Sequence, residues 1–180
     1  MVMRDIWVIS DTHLNHANIL TFRDNTTRSL IREFPSVEEM NETIIQNWNS
    51  VVKPGDKVYH LGDVFFGSKD WFKENWPRLN GSKRLIVGNH DDIKFLSAGG
   101  FFKKVMMWRQ FTDFNILMTH VPLHELSLYR SRNMDRPHLN VHGHIHQNKS
   151  PDGPYYNACV EMNNYTPINI EDLAAIARNI

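Results

Sequence analysis

Side chains of the kinds that bind metal ions recur in five short clusters along the sequence. Aspartate, asparagine and histidine supply them, and none of the clusters contains cysteine. This mixture of imidazole nitrogens with carboxylate and amide oxygens suits manganese, iron or zinc better than calcium, which prefers oxygen ligands alone. Seven side chains exceed the ligands of one tetrahedral ion, so the set is typical of two ions that share a bridging carboxylate. The candidate ligands are Asp11, His13, Asp63, Asn89, His120, His144 and His146.

A pair of divalent ions held in this way could hydrolyse a phosphate ester. Two ions about 3.5–4 Å apart generate a hydroxide at neutral pH and hold a phosphoryl group for in-line displacement. Their four positive charges, less those of Asp11, Asp63 and a bridging hydroxide, leave about +1, which matches a phosphodiester monoanion.

Each cluster follows a short apolar run of the kind that forms a buried strand. The runs are continuous or nearly so, rather than alternating, which is typical of strands covered on both faces. Ligands in open α/β sheets bind outside the carboxyl ends of the strands, so five such ends are expected to bring the clusters together. The predicted strands occupy residues 6–9, 58–61, 85–87, 116–118 and 139–141.

Helices and further strands are predicted around these runs. Ser36 and Glu39 form a capping box, and apolar residues then recur at helical spacing as far as Val52. Asn169 is the expected N-cap of a terminal helix over residues 170–178. The other predicted elements are helices over 69–79 and 92–98, a hairpin that pairs 103–109 with 114–119, and a strand over 155–160. Together they predict an α/β sandwich with mixed sheets and helices outside.

Length, charge and cysteine content limit the classes to which this protein can belong. A chain of 180 residues predicts one domain over residues 1–180, long enough to bury a core without disulfides or structural metal. The 20 basic and 20 acidic side chains give a net charge of zero, which argues against binding of extended nucleic acid. The single cysteine, Cys159, allows no intrachain disulfide and favours a reducing, cytoplasmic compartment. No apolar run approaches the roughly 18 residues of a membrane span, so no membrane partner is expected.

The order of the five clusters carries a family resemblance. Read as D-x-H, G-D, G-N-H-D, a lone H and G-H-x-H, they resemble the calcineurin-like metallophosphoesterase superfamily. The resemblance covers residues 11–146, and residues 11–18 resemble the D-x-H-x-x-H-x-N opening of a subgroup of small prokaryotic and viral phosphoesterases. It implies the calcineurin-like phosphoesterase fold, a four-layer α/β/β/α sandwich with two mixed β-sheets.

The same resemblance implies a role for each side chain. Asp63 is the ligand that bridges the two ions. His90 faces the substrate without binding metal, and Asp91 orients His90. Asn89 and His90 are the catalytic side chains expected to stabilise the phosphoryl oxygens, and His90 is also expected to protonate the leaving alkoxide as a general acid. The first ion is held by Asp11, His13 and His146, and the second by Asn89, His120 and His144.

The function that these patterns favour is a binuclear metal-dependent phosphodiesterase. The expected substrate is a phosphate ester, with a cyclic nucleotide or an RNA end as candidates. Manganese is the first choice for the two divalent ions, and iron, zinc and nickel are the alternatives. The alternative functions are a phosphomonoesterase or nucleotide pyrophosphatase on the same centre and a non-catalytic scaffold with this fold. The oligomeric state stays open.

Basic side chains in the two longest predicted loops, residues 12–35 and 121–137, are candidates for contact with an anionic substrate. His16 and Arg23 are predicted to bind it, since arginine suits phosphate oxygens and His16 follows the ligand His13 closely. The alternative interpretation is that all the arginines of these loops are solvated surface charges without a role in binding. The others are Arg28, Arg32, Arg130, Arg132 and Arg136.

Other histidines and aromatic side chains are interpreted as structural. Phe65 and Phe66 either line the pocket or pack beneath it, and Cys159 is expected to be buried and inert. The remaining residues assigned to packing are His60, His138, His142, Trp71, Phe72 and Trp76.

Overall fold

Nine strands and four α-helices form the part of the chain that this computed structural model describes, residues 4–129 and 137–180. The strands are β1 (Ile6–Ile9), β2 (Lys57–His60), β3 (Ser82–Ile86), β4 (Val105–Met106), β5 (Trp108–Phe111), β6 (Ile116–Thr119), β7 (Leu139–His142), β8 (Tyr155–Asn157) and β9 (Ile168–Asn169). The helices are α1 (Val37–Val51), α2 (Lys69–Asn75), α3 (Ile93–Ala98) and α4 (Ile170–Arg178). Short 3-10 helices occupy Ala17–Thr21, Trp76–Arg78, Glu125–Leu128 and Val160–Met162.

The strands form two mixed sheets, as predicted. The first has the order β4-β3-β2-β1-β9, with β1 to β4 parallel and β9 antiparallel to β1. The second has the order β5-β6-β7-β8, with β5 antiparallel and the others parallel. The ends of β1 and β8 are joined across the two sheets, because Ser10 forms a bridge with Cys159 and donates its N–H to the Ala158 carbonyl at 3.0 Å. Ligand-bearing loops of both sheets therefore start close together.

Alternation along the strands divides the core into two layers. On β1, Ile9 points toward Ile44 and Trp48 of α1, while Val8 packs between the sheets. The layer between the sheets also contains Ile116 and Met118 of β6 and is closed by side chains of α4. The outer face of the first sheet is thus covered by helices α1 to α3. On the outer face of the second sheet, the segment after β6 contacts β7, because the Leu123 N–H donates to Asn140 Oδ1 at 2.9 Å.

The predicted helix starts are confirmed. The Ser36 hydroxyl accepts a hydrogen bond from the Glu39 N–H at 3.2 Å, and the Asn169 side chain accepts one from the Glu171 N–H at 2.9 Å. Caps of this kind contribute about 0.5–2 kcal/mol each. None of the described helices combines the length and the apolar character needed to cross a membrane.

The predicted strand over residues 103–109 is wrong as a single element. Val105–Met106 pairs with β3 in the first sheet, whereas Trp108–Phe111 pairs with β6 in the second. The chain passes from one sheet to the other at Met107, which is 67% exposed. An unbroken run of apolar residues contains no polar position that marks such a crossing.

Two other predicted elements end earlier than expected. Helix α2 stops at Asn75 and continues as a 3-10 turn over Trp76–Arg78, because Pro77 has no N–H to extend the helix. Strand β8 stops at Asn157, and the chain then forms the 3-10 turn Val160–Met162.

Candidate metal centre

The loops after β1, β2, β3, β6 and β7 bring the predicted ligands to one edge of the molecule. Most of these ligands have a left-handed backbone, which is uncommon for residues other than glycine and is found where strain serves a site. The φ angles are 55° at Asp11, 45° at His13, 54° at Asp63, 72° at His144 and 50° at His146. These values indicate that the folded loops hold the ligands in place against their intrinsic preference.

Asp11, His13 and His146 form the first ligand group. Asp11 Oδ1 lies 3.8 Å from His13 Nε2 and 4.0 Å from His146 Nε2. Asp11 Oδ1 and His13 Nε2 are buried and have no hydrogen-bond partner among the described residues. Buried polar atoms without partners are rare, so their convergence on one point fits a bound cation. Burial also lowers the pKa of His13, which keeps its imidazole in the neutral form that binds metal.

The carboxylate of Asp11 is oriented by three donors on its other oxygen. Ser10 Oγ, the His144 N–H and Cys159 Sγ approach Asp11 Oδ2 at 2.5, 2.8 and 3.3 Å. Although burial raises the pKa of Asp11, the contact with His13 and the other nearby donors hold it below its usual range. Asp11 therefore presents a charged Oδ1 to the first ligand group.

Asn89, His120 and His144 form the second ligand group. Asn89 Oδ1 lies 2.8 Å from His120 Nε2 and 2.9 Å from His144 Nδ1. The His120 Nδ1–H donates to the Leu61 carbonyl at 2.7 Å, so Nε2 is the nitrogen left for a ligand role. Asn89 and His144 are exposed, whereas His120 is buried.

Asp63 lies between the two groups. Its Oδ2 is 3.7 Å from His13 Nε2 in the first group and 3.7 Å from His120 Nε2 in the second. A second combination of donors, Asp11, Asp63 and His120, also lies within 4.8 Å. This geometry fits a shared carboxylate between two neighbouring ions.

Two glycines make room for this arrangement. A Cβ on Gly143 would collide with Ser10 Oγ and Asp11 Oδ2. A Cβ on Gly62 would lie 2.7 Å from His120 Nδ1, and its φ of 103° also favours glycine. A side chain at either position would therefore crowd the ligand groups.

Residues 3–154 match the calcineurin-like phosphoesterase superfamily domain. The chain belongs to this superfamily. With its ligand groups, this membership makes the chain a metal-dependent phosphoesterase in general terms.

Three related proteins illustrate this membership. An uncharacterized protein of Methanocaldococcus jannaschii is 36% identical over 180 residues, which cover 95% of this chain and 90% of that protein. The gene 66 protein of Mycobacterium phage L5 is 33% identical over 96 residues, 49% of this chain and 41% of that protein. The crystal structure of a protein of unknown function from Aquifex aeolicus superposes with a TM-score of 0.71 at 28% identity, covering 97% of this chain and all of that one.

The superfamily resemblance suggested that Asp91 orients His90, and this expectation is wrong. The Asp91 carboxylate accepts hydrogen bonds from the N–H groups of Asp63, Val64 and Gly88 at 3.1, 3.0 and 2.8 Å. It therefore joins the loops after β2 and β3. His90 is exposed and is held by its backbone N–H, which donates to Asp63 Oδ1 at 2.9 Å.

Arg32 and Glu161 support the phosphoesterase centre, and neither was predicted from the sequence to lie there. Arg32 is 1% exposed, so the interpretation as solvated loop charge is wrong for this residue. Its guanidinium donates to the carbonyls of Thr12 and Asp11 at 2.8 and 2.5 Å, and its Nε donates to Glu161 Oε1 at 2.8 Å. The same Glu161 oxygen accepts from His146 Nδ1 at 2.9 Å, which leaves Nε2 directed at the first ligand group.

Of the two predicted substrate contacts, His16 lies beside the ligands and Arg23 lies on an exposed loop. The His16 ring stacks on Phe66 at 4.0 Å and lies 5.4 Å from the His13 ring, so Phe66 lines this part of the site. Burial lowers the pKa of His16 to about 4, so it would contact a substrate as a neutral ring. Arg23 Nη1 donates to the Arg28 carbonyl at 2.9 Å. Both substrate roles stay predictions, and Arg130, Arg132 and Arg136 lie outside the described residues.

The residues interpreted as structural have protein partners. Thr12 Oγ1 lies 2.8 Å from His60 Nε2, and His142 Nε2 lies 3.0 Å from Ser150 Oγ. Phe72 and Trp76 are buried in the layer beneath the helices, and Trp71 packs against it. Cys159 is buried, and burial followed by the charge of Asp11 raises the pKa of its thiol far above the usual range. The thiol is therefore held in its protonated form and donates to Asp11 Oδ2 at 3.3 Å.

Proposed function

We propose that the protein is a binuclear phosphodiesterase in which manganese is the preferred ion. The observation that carries the proposal is the pair of ligand groups with Asp63 Oδ2 at 3.7 Å from a histidine of each. The first ion would be held by Asp11, His13 and His146, the second by Asn89, His120 and His144, and both by Asp63. When bound, such a pair of ions supplies Lewis acidity and a nucleophile at neutral pH.

The charge of the surrounding side chains favours a diester over a monoester. Asp11 and Asp63 are the carboxylates directed at the ion positions. The nearest guanidinium, that of Arg32, is engaged by Glu161 and by backbone carbonyls, so this pair adds no net charge. No other Lys or Arg among the described residues contacts the ligand groups. A substrate with one negative charge therefore matches the centre better than a dianion does.

His90 is the proposed general acid. Its exposed ring lies 6.2 Å from the His13 ring and 5.3 Å from the Phe66 ring, at the mouth of the centre. The backbone hydrogen bond to Asp63 Oδ1 fixes its position relative to the bridging carboxylate. An alkoxide is a poor leaving group, so a proton from His90 would assist its departure from the phosphorus.

A reconstitution assay tests this function. The protein is stripped with chelator, supplied separately with manganese, nickel, magnesium or zinc, and tested on bis-p-nitrophenyl phosphate and p-nitrophenyl phosphate. We expect diester turnover that is highest with manganese and lost in Asp63→Asn. Turnover of the monoester alone would contradict the diesterase proposal. Turnover that survives in Asp63→Asn would contradict the bridging role.

A further inference from the structure

An open groove of about 870 Å³ adjoins the metal centre. Two candidate ligands, Asn89 and His120, are part of its lining, so the groove is continuous with the place where a phosphate would be held. Its volume lies within the range of about 300–1,000 Å³ that is usual for small-molecule sites. A group attached to the phosphate could therefore extend into it.

Large apolar side chains stay exposed along this groove. Met107, Trp108 and Ile93 line it and are 67%, 59% and 50% exposed. Trp108 and Gln110 share one face of β5 because side chains alternate along a strand, and this is the outer face of the second sheet. An indole that is exposed beside a catalytic centre offers a flat surface for an aromatic ring.

A fixed polar group lies on the same face. The Nδ1–H of His138 donates to the Leu128 carbonyl at 3.0 Å, which leaves Nε2 to accept from the Gln110 amide at 2.8 Å. The carbonyl oxygen of that amide has no hydrogen-bond partner among the described residues. It can accept a hydrogen bond from a planar N–H group in the groove.

Among the described residues, the lining of the groove offers no positive charge to a second phosphate. None of the described residues that line it is lysine or arginine. The single carboxylate among the described lining residues, Asp91, is already engaged by three backbone N–H groups. The lining therefore suits an uncharged group with an aromatic face and a polar edge.

We propose that this groove binds the nucleobase of a nucleoside phosphodiester, with the base stacked on Trp108 and its polar edge near Gln110. This assignment rests on the proposed function, because it places the phosphate of the same molecule at the metal centre. It names the substrate class as one nucleoside joined to the reacting phosphate.

The test compares two esters that share a leaving group. One is the p-nitrophenyl ester of thymidine 5′-monophosphate, and the other is methyl p-nitrophenyl phosphate, which has no base. We expect Trp108→Ala, with manganese present, to lower kcat/KM about tenfold on the nucleoside ester and less than about twofold on the methyl ester. Trp108→Phe should keep most of the activity. Ile176→Ala, an exposed apolar change outside the groove, should alter neither value.

Binding provides a readout that does not depend on turnover. Calorimetric titration of the chelator-treated protein with thymidine 5′-monophosphate should give a dissociation constant that rises about tenfold in Trp108→Ala. Equal loss on the two esters, or no loss on either, would overturn the assignment of the groove and leave the phosphodiesterase proposal standing. No hydrolysis of either ester by the unaltered protein with any metal would overturn the proposed function. In that case an unchanged dissociation constant in Trp108→Ala would overturn the groove assignment as well.

Discussion

Replacement of Glu161 by glutamine should weaken the first metal position selectively. The side chain of Glu161 is buried, and its Oε1 accepts from His146 Nδ1 at 2.9 Å and from Arg32 Nε at 2.8 Å, with Arg32 Nη2 at 2.7 Å. Burial raises the pKa of Glu161, but His146 and Arg32 hold it below its usual value, so the group removed is a carboxylate. Glutamine keeps the shape and removes the charge that orients His146 and compensates Arg32.

The structure indicates the size of two expected losses, one in the free energy of unfolding and one in metal affinity. Loss of one partner from a buried ion pair lowers the free energy of unfolding by about 3–5 kcal/mol. We expect the lower end of this range because the Arg32 guanidinium keeps its two backbone acceptors. Loss of a carboxylate that orients a ligating histidine typically weakens metal affinity by about 10–100-fold. That loss should fall on the ion near Asp11, His13 and His146, and spare the ion near His120.

Chelator competition measures the metal affinity, and urea unfolding measures the free energy of unfolding, on the same preparations. Glu42→Gln is the matched control, since Glu42 forms an exposed ion pair with Arg78 at 2.6 Å and should cost less than about 1 kcal/mol. Equal weakening of both ions in Glu161→Gln, or an unfolding free energy no lower than that of Glu42→Gln, would refute this reasoning.

Two other substitutions test the general acid and the space that the first ion needs. His90→Ala should lower kcat by about 10²–10⁴-fold on a diester with an alkoxide leaving group and much less on bis-p-nitrophenyl phosphate, as steady-state assays would show. Equal losses on both substrates would eliminate the acid role. Gly143→Ala should abolish binding of the first ion in calorimetric titration, because its Cβ would collide with Ser10 Oγ and Asp11 Oδ2. Gly55→Ala is its control, since nothing lies within 4 Å of a Cβ there, and an equal effect of the two changes would contradict the steric argument.

The convergence of the candidate ligands could be predicted from the sequence because each follows an apolar run that forms a strand. Parallel strands end at one edge of a sheet, so the pairing of β1 with β2 brings Asp11 and Asp63 together, and the pairing of β6 with β7 brings His120 and His144 together. The capping residues Ser36 and Asn169 were predictable for a similar reason, since a cap acts on the N–H of a residue two or three positions later.

Contacts between distant positions could not be predicted in this way. Arg32 and Glu161 are 129 residues apart, and neither lies in a motif that would pair them. The expected contact between Asp91 and His90 was also wrong, because Asp91 follows His90 directly but turns its carboxylate toward the backbone of the loop after β2. The groove could not be predicted from the sequence because Trp108 belongs to an apolar run whose first part pairs in one sheet and whose second part pairs in the other.

Location of the bound ions tests the central claim most directly. Crystals of the protein grown with manganese and measured near the manganese absorption edge would show each ion as an anomalous peak. We predict two peaks, one among Asp11, His13 and His146 and one among Asn89, His120 and His144, with Asp63 between them. A single peak, or peaks away from these side chains, would contradict a binuclear centre.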